Sequence, residues 1–186
     1  MPPAKQEQDI GVQVAVNFNG LDVDLPKLKK LVKAVCSRFK LPKATVSIAI
    51  VGDAEIRRLN KQFLSRNSTT DCLSFNLSDD QTRTPGGRGS QTQKKGVSDR
   101  KERRLGSSGS PKLFELVVNG EMAVKEANLR GHSNEAELAL YVTHGLLHNL
   151  GFDDSTQEQA KKMHDTEDEI LQQLGYGLVY NKSTRE

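Results

Sequence analysis

The run His144-Gly145-Leu146-Leu147-His148-Asn149-Leu150-Gly151-Phe152-Asp153-Asp154 restricts what this chain can fold into more than any other stretch. In an α-helix four residues turn about 400°, so His144 and His148 leave one face a single turn apart. That spacing can set two imidazole nitrogens on one ion. Gly151 offers the left-handed residue that ends a helix. Beyond it, Asp153 or Asp154 can return to supply an oxygen. Two imidazoles and one carboxylate, with positions left open, form the donor set of a catalytic zinc or a similar divalent ion. Histidine pairs at this spacing also arise as ordinary core or surface residues. Here, however, two of only four histidines share one helical face directly before a glycine and two acids.

At 186 residues the chain reads as a single domain long enough to bury a core. No apolar run approaches the roughly 20 residues of a membrane helix. The first nine residues hold no apolar core and carry Glu7 and Asp9, which argues against a secretory or transit signal. Cys36 and Cys72 form no motif and read as buried free thiols. The net charge of +3 is unevenly spread. Residues 81–110 carry eight Lys or Arg against Asp99 and Glu102, a net +6, so the rest of the chain stands at −3.

Val12, Val14, Val16 and Phe18 alternate as a half-buried strand that ends at the Asn19-Gly20 turn. Asp24 and Pro26 start a helix whose apolar face is Leu28, Leu31, Val32 and Val35. Val46, Ile48 and Ile50 form a second strand, and Asp53 is expected to cap a helix through Ile56, Leu59 and Phe63. Arg57, Arg58, Lys61 and Arg66 lie on or beside that helix. A third strand covers residues 72–77. Residues 79–110 have no hydrophobic period and read as a disordered basic insert, able to meet nucleic acid through phosphate charge or to serve as a solvated spacer.

Phe114, Leu116 and Val118 resume a strand pattern, interrupted at Asn119-Gly120-Glu121 and continued through Met122–Val124, with a short helical turn at 126–130. Asn134 and Glu137 have capping-box spacing for the central helix, and Ser155 with Glu158 for the last one. That last helix runs through Met163, Ile170 and Leu174 to Gly175. His164, among acids, reads as a surface residue, and His132 as an ordinary turn residue. Residues 181–186 read as a frayed tail. The order of elements implies an α+β domain, a mixed sheet of about four strands covering the metal helix on one side.

With these residues in view, the chain resembles the YbeY family of metal-dependent endoribonucleases, whose signature is His-Gly-x-Leu-His-Leu-x-Gly-aromatic-Asp-His. Two further blocks match in family order: Leu59-Asn60 with Thr70-Asp71-Cys72-Leu73-Ser74-Phe75, and Gly120-Glu121-Met122. The resemblance spans about Ile10 to Gly175, apart from the insert. It implies a small sheet with helices, one zinc ion held by His144, His148 and Asp154, and a cytoplasmic setting. The implied substrate is single-stranded RNA, with roles in ribosomal RNA maturation at the small subunit and in ribosome quality control. Three positions depart from the family. Asp154 stands for a third histidine, Asn149 for a leucine, and Leu64 for an arginine proposed to meet RNA phosphate. Arg66 and Arg58 are the candidate replacements for that cation. Two rivals follow from the same residues. A zinc protease would need a general-base glutamate after the first histidine, where Gly145 stands. A non-catalytic RNA-binding assembly factor with a degenerate metal site would keep the basic insert and lose the chemistry.

Overall fold

The computed structural model describes residues 8–78 and 110–180. The basic insert and the tail expected at 181–186 lie outside the described residues, apart from Ser110. Nine elements follow in order: β1 (Asp9–Val16), α1 (Leu25–Arg38), β2 (Lys43–Val51), α2 (Asp53–Leu64), β3 (Cys72–Asn76), β4 (Lys112–Asn119), α3 (Gly120–Arg130), α4 (Asn134–Asn149) and α5 (Gln157–Gln173). The fold is α+β, as the pattern of elements implied. Its sheet has the order β1-β2-β4-β3. β1 and β4 both run parallel to β2, and β3 pairs antiparallel to β4 at the edge.

Period-two alternation divides the strands between two cores. Val46, Ile48, Ile50, Phe114, Leu116 and Val118 face the larger core, which also holds the apolar sides of α1, α4 and α5. Val51, Leu73 and Val117 face the other way, onto Ile56 of α2. Helix α4 is apolar nearly all round, and eleven of its sixteen residues are buried. A helix enclosed in this way is held by its neighbours rather than by solvent. Its histidines are therefore fixed by packing against β3, β4, α1, α3 and α5.

Several expected boundaries are corrected. Asp24 does cap α1, its carboxylate accepting from the Lys27 N–H at 2.9 Å. Asp53 does not cap α2. The N-cap is Gly52, and the Asp53 N–H donates to Glu121 of α3 at 3.0 Å. The Asp53 carboxylate is engaged by Asn119 and Lys125. Residues 122–124 are not a strand, because the Asn119 side chain accepts from the Met122 N–H at 3.0 Å and starts α3 there. Ala123 and Ala127 then bury one side of an eleven-residue helix, longer than the turn expected at 126–130. The cap of α4 is Ser133, not Asn134. Glu137, expected as its box partner, is fully buried against His132 and Arg130. The cap of α5 is Thr156, which accepts from Gln159 N–H, rather than Ser155.

Candidate metal centre

The His144 and His148 rings meet edge to face, 89° apart, with their Nε2 atoms separated by 3.0 Å. Each ring is held by its other nitrogen. His144 Nδ1 lies 2.8 Å from Glu167 Oε1, on the fully buried face of α5. His148 Nδ1 lies 3.2 Å from the Phe152 carbonyl. A carboxylate and a carbonyl only accept, so both Nδ1 atoms carry a hydrogen, and in the neutral rings both Nε2 atoms present lone pairs. Two lone pairs facing at 3.0 Å repel unless a proton or a cation lies between them.

The carbonyl is delivered by the end of α4. Gly151 sits at φ +94°. The Gly151 N–H donates to His148 O and the Phe152 N–H to Leu147 O, both at 3.0 Å, the bonding pattern of a Schellman cap. Phe152 is anchored edge-on against Phe39 at 5.6 Å. The turn continues through Asp153, which accepts from the Asp154 N–H, the Ser155 N–H and the Ser155 hydroxyl. Those bonds hold its carboxyl below the ordinary range. Asp153 thus builds the turn, and Asp154 faces the imidazoles. Asp154 Oδ2 lies 3.9 Å from His144 Nε2 and 3.8 Å from His148 Nε2.

The residues present fit a divalent ion. One atom from each of His144, His148 and Asp154 falls in a single group within 4.8 Å. The pairwise separations of 3.0, 3.8 and 3.9 Å are all below about 4.1 Å, the span of two typical zinc bonds. The Asp154 side chain is 44% exposed, so one side opens to solvent. Burial disfavours a charged His144 ring, but the hydrogen bond and charge of Glu167, with Asp71 and Asp154 behind, raise its pKa above the ordinary value. This is the field of a cation site.

Gly145 has a packing role. A Cβ there would stand 2.6 Å from Cys72 Sγ and 3.0 Å from Leu116 Cδ2. Only glycine lets α4 approach β3 and β4 this closely. Cys36 and Cys72 are both free. Burial pushes the Cys36 thiol up to about 11 and raises Cys72 as well.

His132 lies in the buried group with Glu137. His164 is not a surface residue. Its Nδ1 bonds Glu167 Oε2 at 2.8 Å, and its ring stacks on Tyr180. Arg58 sits on α2 in a two-point pair with Glu55. Arg66 is exposed on the segment that follows α2 and leads to Asp71. Neither arginine lines the cavity of about 100 Å³ beside His144, whose wall includes Asp71, Arg130, His164, Glu167 and Tyr180. Glu167 and Tyr180 escaped the sequence reading. For Glu167 a signal existed: it falls four residues after Met163 and four before Leu171, on the buried stripe of α5. An acid in that stripe needs a partner.

An α+β scaffold that converges two imidazoles and a carboxylate on one open point fits the class of metal-dependent enzymes. Comparison with known proteins narrows the class. Residues 14–175 match the family model described as Endoribonuclease YbeY, and the chain belongs to that family. Endoribonuclease YbeY of Bacillus licheniformis is 30% identical over 132 residues, 71% of this chain and 73% of that protein. The Myxococcus xanthus protein of the same description is 30% identical over 93% of this chain, which spans half of its length. The solution structure of TM1509 from Thermotoga maritima aligns with a TM-score of 0.49 at 20% identity, over 87% of this chain and 90% of that one. Membership of the family makes the chain an endoribonuclease. Among the described residues no helix is long and apolar enough to cross a membrane.

Proposed function

We propose that the protein cuts single-stranded RNA at one divalent ion, zinc by resemblance, held by His144, His148 and Asp154, and that it acts in ribosomal RNA maturation. The two Nε2 atoms 3.0 Å apart, with Asp154 Oδ2 within 3.9 Å of both, carry this reading, because three donor atoms converge on one point that a cation can occupy. Once bound there, the ion would polarise a phosphoryl oxygen or lower the pKa of a water. The chain does the rest. Glu167 and the Phe152 carbonyl keep both rings in the Nδ1–H tautomer, so each Nε2 stays available. Asp153 holds the turn that presents Asp154. Cations are needed where negative charge gathers on the phosphorus in the transition state. Arg66 is the first candidate, exposed on the segment that leads from α2 to Asp71. Arg58 is the second, its charge already engaged by Glu55.

The resemblance supports action in the cytoplasm, on the small-subunit RNA 3′ end and in ribosome quality control. Residues 1–186 are then one domain whose basic segment 79–110 adds phosphate affinity. Cleavage of single-stranded RNA is measured for wild type and for His144→Ala with His148→Ala. Loss of cleavage in the double variant is expected, and equal activity would end the proposal. Metal analysis of the same preparations should find about one ion per wild-type chain and none in the variant.

A further inference from the structure

The cavity beside His144 has an aromatic wall that the metal chemistry leaves unused. In that wall the Tyr180 and His164 rings lie parallel, 3.5 Å between centroids and 11° between planes. His164 is held by Glu167, the carboxylate that also holds His144. Tyr180 is fixed from the other side. The buried carboxylate of Asp168 accepts from the backbone N–H groups of Val179 and Tyr180, at 3.1 and 3.0 Å, and the Val179 side chain is fully buried. The segment after α5 is therefore tied down at the residue that brings a ring over the cavity. Yet Tyr180 as a residue remains 39% exposed, although one face of its ring is covered by His164. Its backbone is tied to Asp168 and one ring face to His164, while the residue keeps contact with solvent.

Unpaired bases stack on such aromatic platforms, whatever the base, because every base has a π-face. Polar groups complete the wall. Arg130, held by Glu126 and Glu137, offers donors, and Asp71 offers an acceptor. We propose that this cavity is a nucleobase subsite. The base of a nucleotide next to the cleaved phosphodiester stacks on the Tyr180 face turned away from His164, with Asp71 and Arg130 as the polar groups of the same wall. The proposal rests on the RNA-cleavage reading above and adds a reason for single-strand preference. A base within a duplex has both faces covered and cannot reach a side-chain platform.

The test uses a short single-stranded 2′-O-methyl oligouridine carrying one 2-aminopurine, which resists cleavage and loses fluorescence when it stacks. It is titrated with wild type, Tyr180→Phe, Tyr180→Leu and Tyr180→Ala. Each variant keeps the backbone N–H that Asp168 binds. Wild type and Tyr180→Phe should quench the probe. The Leu and Ala variants should not, and should bind about 5- to 150-fold more weakly, the range that about 1–3 kcal/mol of base stacking implies. Quenching by Tyr180→Leu and Tyr180→Ala equal to wild type, or none by wild type, overturns the subsite. His148→Ala should still quench while failing to cut unmodified RNA, so the subsite and the metal centre fail separately.

Discussion

Replacing Gly145 by alanine tests the claim that close approach of α4 to the sheet positions the two histidines. The added Cβ would lie 2.6 Å from Cys72 Sγ and 3.0 Å from Leu116 Cδ2, both nearer than ordinary van der Waals contact. Neither atom ends a long flexible side chain, so the helix or the strand must move. Overpacking of this kind costs about 1–3 kcal/mol, and two tight contacts place the cost in the upper half of that range. Alanine also gains about 1 kcal/mol over glycine within a helix. The net expectation is destabilisation by about 1–2 kcal/mol, read as a lower urea midpoint and a melting temperature reduced by roughly 2–8 °C. Because Gly145 lies between the two ligand candidates, zinc affinity should fall as well. Cys72→Ala removes the nearer obstacle, so the double variant should be more stable than the sum of the single changes predicts, by about 0.5 kcal/mol or more. A Gly145→Ala protein as stable as wild type would refute the packing argument, as would strict additivity with Cys72→Ala.

Other outcomes follow from the same geometry. Glu167→Gln cannot accept from both His144 and His164, and zinc affinity measured by chelator competition should drop about 10- to 100-fold; an unchanged affinity would remove Glu167 from the centre. Asp154→Ala should lower bound metal and Asp154→His should retain or raise it. By contrast, Asp153→Ala should act mainly through the turn, as reduced thermal stability. The surface group of Asp53, Glu121 and Lys125 has a defined pH signature. Hydrogen bonds to Lys125 lower both carboxyl pKa values, with Asn119 helping at Asp53 and a backbone N–H at Glu121, and those carboxylates raise that of Lys125. Depressed carboxyls contribute stability above their unfolded pKa near 4, lost as pH falls through the folded values. A raised lysine contributes below its unfolded pKa near 10.4, lost as pH rises through its folded value. Wild type should therefore exceed Lys125→Met in stability between about pH 4 and 10, and urea midpoints of the two should converge outside that window. Finally, Cys36, buried, and Cys72, half-buried with its thiol pKa also raised, should react slowly with a disulfide reagent at neutral pH in the folded protein and faster once urea unfolds it; rapid labelling of Cys36 in the native state would contradict its burial.

What the residues alone determined was local. The i, i+4 histidines, the left-handed Gly151, the Asp24 cap and the alternation of β2 and β4 are properties of a few neighbouring positions. Backbone geometry fixes which of those positions share a face, so the helix pair and most elements were legible in advance. Tertiary structure decided the partnerships. Whether Asp153 or Asp154 turned to the imidazoles depended on which carboxylate the Ser155 turn consumed. Glu137 looked like a cap and became a buried partner of His132. Glu167 looked like one acid among several and became the group that orients His144. Met122–Val124 left the strand because Asn119 could close a helical turn. In each case the outcome followed from which polar group lost its water on packing, and that cost is set by neighbours far along the chain.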